Sequence, residues 1–73
     1  MKTVHVTSSN IKSVRYYPKK MTLRVNFHHG GSYAYNPVTE EAYHEMLKAD
    51  SVTKYFNQHI KSNDMIDCQK MKI

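Results

Sequence analysis

Apolar and polar residues alternate through the first half of the chain, then change to helical spacing in the second. Val4 to Thr7 is a first short extended piece, and Ser8-Ser9-Asn10 leads from it into Ile11 and an extended run from Ser13 to Tyr17. Met21, Leu23, Val25 and Phe27 alternate with Thr22, Arg24, Asn26 and His28, the period-two pattern of a half-buried strand. Tyr33 and Tyr35 alternate in turn with Ser32, Ala34 and Asn36. Pro37 ends the extended half. Thr39 then suits an N-cap, with Glu40 and Glu41 favourably placed in the first helical turn. Ala42, Tyr43, Met46 and Leu47 form an apolar stripe at helical spacing. After a break at Asp50-Ser51, Val52, Tyr55, Phe56, His59 and Ile60 form a second.

The connections set the register. Pro18-Lys19-Lys20-Met21 reads as a four-residue turn, which pairs Tyr17 with Thr22, Tyr16 with Leu23 and Arg15 with Arg24. The His28-His29-Gly30-Gly31-Ser32 stretch allows two closures. A two-residue Gly30-Gly31 loop would put Ala34 beside Phe27 and send both tyrosines to the opposite face. A three-residue loop with a left-handed glycine pairs Phe27 with Tyr33 and Val25 with Tyr35. One residue of slip exchanges the faces. The three-residue loop is preferred because it collects Leu23, Val25, Phe27, Tyr33 and Tyr35 on one side. The pattern therefore predicts a single α+β domain over residues 1–73: a small antiparallel sheet of three to four strands with two amphipathic helices packed on one face. The other face is expected to be open.

Seventy-three residues bury a thin core, about 60% of the surface the unfolded chain exposes. Cys68 is the single cysteine, which excludes an internal disulfide and a cysteine-rich zinc site and suits a reducing compartment. The N-terminus lacks the apolar run of a signal peptide, and no stretch is long and apolar enough to span a membrane. A cytoplasmic location is expected, with no membrane partner. A net charge of +5 and a pI near 9.4 favour anionic partners.

Ser8-Ser9-Asn10-Ile11, Tyr16, Leu23-x-Val25-x-Phe27, Gly30, the Tyr33-Ala34-Tyr35 pair, Ala49-x-Ser51 and Tyr55-Phe56-Asn57 followed by Ile60 together resemble the KTSC domain. The resemblance covers roughly residues 6 to 61. It departs from the family's pattern at Thr39, where a proline is expected, and at Thr53, where a glycine is expected. The tail from Ser62 to Ile73 matches less well. The family takes its name from the C-terminus of certain lysyl-tRNA synthetases and also occurs as stand-alone small proteins of bacteria and phages. The resemblance implies no catalytic activity. RNA binding is suggested only by that association with a tRNA-charging enzyme.

The residues themselves offer little chemistry of catalysis. The five histidines lack the i, i+4 spacing with a supporting carboxylate that a zinc enzyme shows. Ser8 and Ser9 belong to a turn or cap, where short side chains bond nearby backbone. There is no G-x-S-x-G elbow, no phosphate-cradling glycine loop and no sheet-borne carboxylate pair. Nothing points to an enzyme, a cofactor, a metal or a small-molecule substrate. Tyr33 and Tyr35 suit either core packing or base stacking, and the register favours the core. The open face should hold Arg15, Tyr17, Arg24, Asn26, His28 and Asn36, with Lys12, Lys19 and Lys20 at its border. Arg15 opposite Arg24 is an unfavourable like-charge pair: either the two side chains splay apart in solvent, or an anion such as a phosphate sits between them. The expected function is a small non-enzymatic module that binds RNA through Arg15, Tyr17, Lys19, Lys20, Arg24, Asn26 and His28. The alternative is a protein-protein interaction module, such as a phage effector of a host protein or a small homo-oligomer that shelters its sheet edges.

Overall fold

The computed structural model describes residues 3–6 and 10–71. The expected turn at Ser8-Ser9 and the end of the first extended piece at Thr7 lie outside the described residues. Strands β1 (Val4–His5), β2 (Ile11–Tyr17), β3 (Thr22–Phe27) and β4 (Ser32–Asn36) come first. Helices α1 (Glu40–Lys48) and α2 (Val52–Phe56) follow, and β5 (Asp67–Met71) closes the chain. The sheet is an antiparallel meander in chain order, β1-β2-β3-β4-β5. The fold is α+β as the pattern implies, with one strand more than four.

The alternating apolar residues of β2 to β4 converge on one face. Val14, Tyr16, Leu23, Val25 and Tyr35 are buried there, beneath Tyr43 and Met46 of α1 and Phe56 of α2. The Tyr16 ring stacks on Tyr43 at 5.0 Å, and its hydroxyl donates to the carbonyl of Val38 at 2.6 Å. Phe56 sets its ring edge-on against Tyr35 at 5.0 Å and against Phe27 at 5.9 Å. Such geometry matches the positive edge of one ring to the negative face of another.

The first turn holds as expected: Arg15 pairs with Arg24, Tyr16 with Leu23 and Tyr17 with Thr22. Pro18–Lys20 winds as a 3-10 turn closed by the Met21 amide on the Pro18 carbonyl. Met21 is not part of the alternating strand. It stands in the left-handed region at φ 47°, partly exposed, where it ends the turn before β3 begins. The second hairpin does have a three-residue loop, but over His28-His29-Gly30 rather than one residue later. The Phe27 amide donates to the Gly31 carbonyl, and Gly30 takes φ 97°. Consequently Val25 faces Tyr33 and Leu23 faces Tyr35, two residues from the expected pairing. A slip of two preserves the faces, so both tyrosines still lie on the helix-covered side.

Thr39 caps α1 by accepting from the Ala42 amide at 3.1 Å, and Ser51 caps α2 by accepting from Lys54. After Phe56 the helix widens into a π turn over Asn57–Lys61, closed by the Ser62 amide on the Asn57 carbonyl. Ile60 remains buried, whereas His59 is exposed with its ring 4.4 Å from Tyr55. The second stripe is thus narrower than its spacing predicts. The weakly matching tail is the strand that covers the β4 edge: Tyr35 pairs with Cys68 and Ala34 with Gln69. None of the described helices is long and apolar enough to cross a membrane.

Candidate nucleic-acid interface

Strand register arranges the uncovered face in cross-strand rows. His5, Ser13, Asn26, Ser32 and Met71 form one row. Arg15, Arg24, Ala34 and Gln69 form the next, and Tyr17, Thr22, Asn36 and Asp67 the last before the Pro18–Lys20 turn. One bulge makes this order: Lys12 is the extra residue between Ile11, opposite Phe27, and Ser13, opposite Asn26. It lets Ile11 enter the core while Ser13 turns to the polar side.

Arg15 and Arg24 are direct neighbours in the middle row. Neither forms an ion pair among the described residues, where the one ion pair is His44 with Glu40 on the outside of α1. The Arg15 guanidinium carbon sits 5.4 Å from the Tyr17 ring centre, an attractive cation–π arrangement on the same strand. The Nε of Arg24 is shielded from solvent and has no hydrogen-bond partner among the described residues. That one N–H has lost hydration without a compensating bond, while the side chain as a whole stays half-exposed. Among the acidic side chains of the described residues, Asp67 alone belongs to this face, in the row opposite Asn36.

Tyr17, Lys20, Thr22, Arg24, Ala34 and Met71 line a cavity of about 260 Å³ on this side. Lys20 thus joins Arg24 and Tyr17 in one concavity, while Lys19 is exposed on the turn beside it. Asn36 lies in the same face, with its amide nitrogen 3.5 Å from the Thr22 hydroxyl.

Two expected site residues stand apart from this cavity. Asn26 is on the face, but its amide donates to Ser13 Oγ at 2.9 Å and accepts from Ser32 Oγ at 2.6 Å. This three-strand ladder, with Ser13 and Ser32 both buried, is a structural element and leaves Asn26 little capacity to read a ligand. The alternation of small polar residues on three strands was its sequence signal. His28 belongs to the hairpin loop, with its amide bonded to the Asn10 carbonyl at 3.0 Å. It lies four positions beyond Arg24, about 13 Å along the chain. The structure therefore gathers Arg15, Tyr17, Lys20 and Arg24, borders them with Lys19, and sets Asn26 and His28 aside.

A second cavity, of about 480 Å³, opens at the hairpin end beside α2, lined by Asn10, Phe27, His29, Gly30, Tyr33, Tyr35, Lys61 and Cys68. Burial, then the hydrogen bond with Cys68, pushes the Tyr35 hydroxyl well above its ordinary pKa. Tyr35 is buried core here, and Phe27 and Tyr33 are the half-buried aromatics of the lining. Among the described residues no three His, Cys, Asp or Glu side chains converge as metal ligands would.

The KTSC domain family model matches residues 7–63. An uncharacterized protein of Stutzerimonas stutzeri is 39% identical over 61 residues, covering 84% of this chain and 86% of that protein. The crystal structure of a KTSC domain protein from Yersinia pestis superposes with a TM-score of 0.90 at 31% identity, covering 97% of each chain.

Proposed function

The chain belongs to the KTSC domain family, and from that premise we propose that its uncovered sheet face is a non-enzymatic binding site for single-stranded RNA. Arg15 and Arg24 contact backbone phosphate, Tyr17 stacks on a base, and Lys19 and Lys20 add positive charge at the border. The observation that carries this reading is the pairing of two arginines side by side on adjacent strands, with no carboxylate bonded to either among the described residues. Like charges held opposite each other destabilise a sheet, and a bound phosphate converts the repulsion into charge-assisted hydrogen bonds of matched geometry. The Tyr17 ring beside them supplies a sequence-tolerant stacking surface, worth about 1–3 kcal/mol per base. The site operates in the cytoplasm, where RNA is abundant and the exposed thiol of Cys68 stays reduced.

The test is the double change Arg15→Ala plus Arg24→Ala. Single-stranded RNA binding at ~50 mM salt should weaken with little dependence on base sequence, and the slope of log affinity against log salt should flatten by about 1.4, from roughly 0.7 per phosphate contact. Stability should hold or rise slightly, because a repulsive pair is removed. A double variant that keeps both affinity and slope would refute the site. So would wild-type protein that binds no RNA at this salt, and a protein-protein interaction module would then be the better reading of the same Tyr-and-Arg surface.

A further inference from the structure

We infer that this RNA site receives the end of a strand, gripping a terminal phosphomonoester in the Tyr17–Lys20–Arg24 cavity rather than an internal phosphodiester. The inference rests on the proposed RNA reading and adds to it the class of group bound.

Shape is the first argument. The cavity, about 260 Å³, is smaller than the pockets that enclose drug-sized ligands and has room for one small end group. Its floor is Thr22 and Ala34, on β3 and β4. Tyr17 of β2 flanks Thr22 in the same row, and Lys20 of the first turn bounds the cavity along the strand direction. On the other side stands Met71, from the row two residues away. A continuous strand needs a groove open at both ends, because an internal phosphate carries a sugar on each side. A terminal phosphate carries one sugar and enters such a cavity end-on.

Charge is the second. An internal phosphodiester has a single negative charge, whereas a phosphomonoester carries about −1.5 to −2 at pH 7 and presents three terminal oxygens. Arg24 and Lys20 line the cavity, and Arg15 stands next to Arg24 in the same row. Three cations around one concavity match a near-dianion better than a monoanion. The Met71 wall comes from β5, beyond residues 7–63 that match the family model. The Met71 side of the cavity is therefore contributed by the C-terminal strand.

The experiment compares one single-stranded RNA ten-mer in three forms, with a 5′-phosphate, with a 3′-phosphate, or with hydroxyls at both ends, by fluorescence anisotropy at ~50 mM salt. One phosphorylated form should bind about tenfold tighter than the hydroxyl-ended form, the factor that an added charge-assisted hydrogen bond supplies. Ala34→Leu, which fills the floor and leaves every cation in place, should abolish that preference while hydroxyl-ended RNA still binds. Circular dichroism of the variant establishes that its fold is retained. Lys20→Ala, on the exposed turn, should reduce the preference without changing the fold. Equal affinity for all three forms in wild-type protein would overturn the inference and leave the RNA site standing. A preference that survives both variants would overturn it too, by placing the end group elsewhere. If none of the three forms binds, the RNA reading itself falls and the inference with it.

Discussion

Replacing Phe56 by alanine removes the side chain on which the helix layer and the sheet meet. Phe56 is fully buried and sets ring edges against Tyr35 and Phe27, from β4 and β3. Truncating a buried phenylalanine to alanine costs about 3–5 kcal/mol, a sum of lost transfer energy and the cavity left behind. Each aromatic pair contributes about 0.5–1.5 kcal/mol beyond burial, and two are lost here. A core of this size rarely supplies more than roughly 3–5 kcal/mol of stability, so the substitution is comparable with the whole margin. In urea, with an m-value of about 1 kcal/mol/M, the midpoint should fall by about 3 M or more, and the variant should be largely unfolded at 25 °C. Phe56→Leu is the control: it keeps most of the volume but loses both aromatic pairs, so it should cost about 1–3 kcal/mol, less than the alanine change. Far-UV circular dichroism across the titration reads both. A Phe56→Ala protein with a native spectrum and a midpoint within about 1 M of wild type would refute the packing of α2 on the Tyr35 strand.

Tyr16→Phe should cost about 1–3 kcal/mol, because the buried Val38 carbonyl loses the donor now at 2.6 Å. A thermal midpoint lowered by less than about 4 °C, the shift for 1 kcal/mol in a domain of this size, would show that this bond matters little. Burial raises the hydroxyl pKa of Tyr16, Tyr35 and Tyr43, with Glu40 adding to the first and Cys68 to the second. Raised pKa values in the folded state mean that this contribution to stability is fully present below about pH 10, the unfolded value, and is lost as pH rises above it. Urea midpoints should therefore fall between about pH 10 and 11, roughly the unit above that value, as tyrosinate absorbance near 295 nm grows. A midpoint flat across that range would contradict the burial of these rings.

The element types and the choice of faces were legible in the sequence, because strict alternation and helical stripes are direct consequences of burial. Leu23, Val25, Tyr35, Met46, Phe56 and Ile60 all face the core for that reason. What alternation cannot report is the position of a loop when a slip of two keeps every side chain on its face. The Val25–Tyr33 pairing is set instead by the loop closure, in which the Phe27 amide donates to the Gly31 carbonyl and both Gly30 and Gly31 take positive φ. Strand β5 was illegible for another reason. Asp67 to Lys70 are all exposed, so backbone pairing on β4 holds the strand and burial leaves no pattern to read. Arg15 and Arg24 emerged correctly as neighbours because the Pro18 turn fixes their register. The same reasoning placed Asn26 in the site, and only its hydrogen bonds to Ser13 and Ser32 reveal its structural role. His28 was placed by extending the strand pattern one residue too far, into the loop.

Copurified nucleic acid, read as the 260/280 nm absorbance ratio before any high-salt wash, is an early indication of RNA binding. The most direct measurement is a titration of isotope-labelled protein with single-stranded RNA at ~50 mM salt, followed by nuclear magnetic resonance. The backbone amides of Arg15, Tyr17 and Arg24 and the guanidinium signals of both arginines should shift in proportion to bound RNA, while Tyr43, Met46 and Ile60 on the covered face stay in place. Shifts concentrated on α1 and α2, or no shifts at a saturating RNA concentration, would contradict an RNA site on the uncovered sheet face.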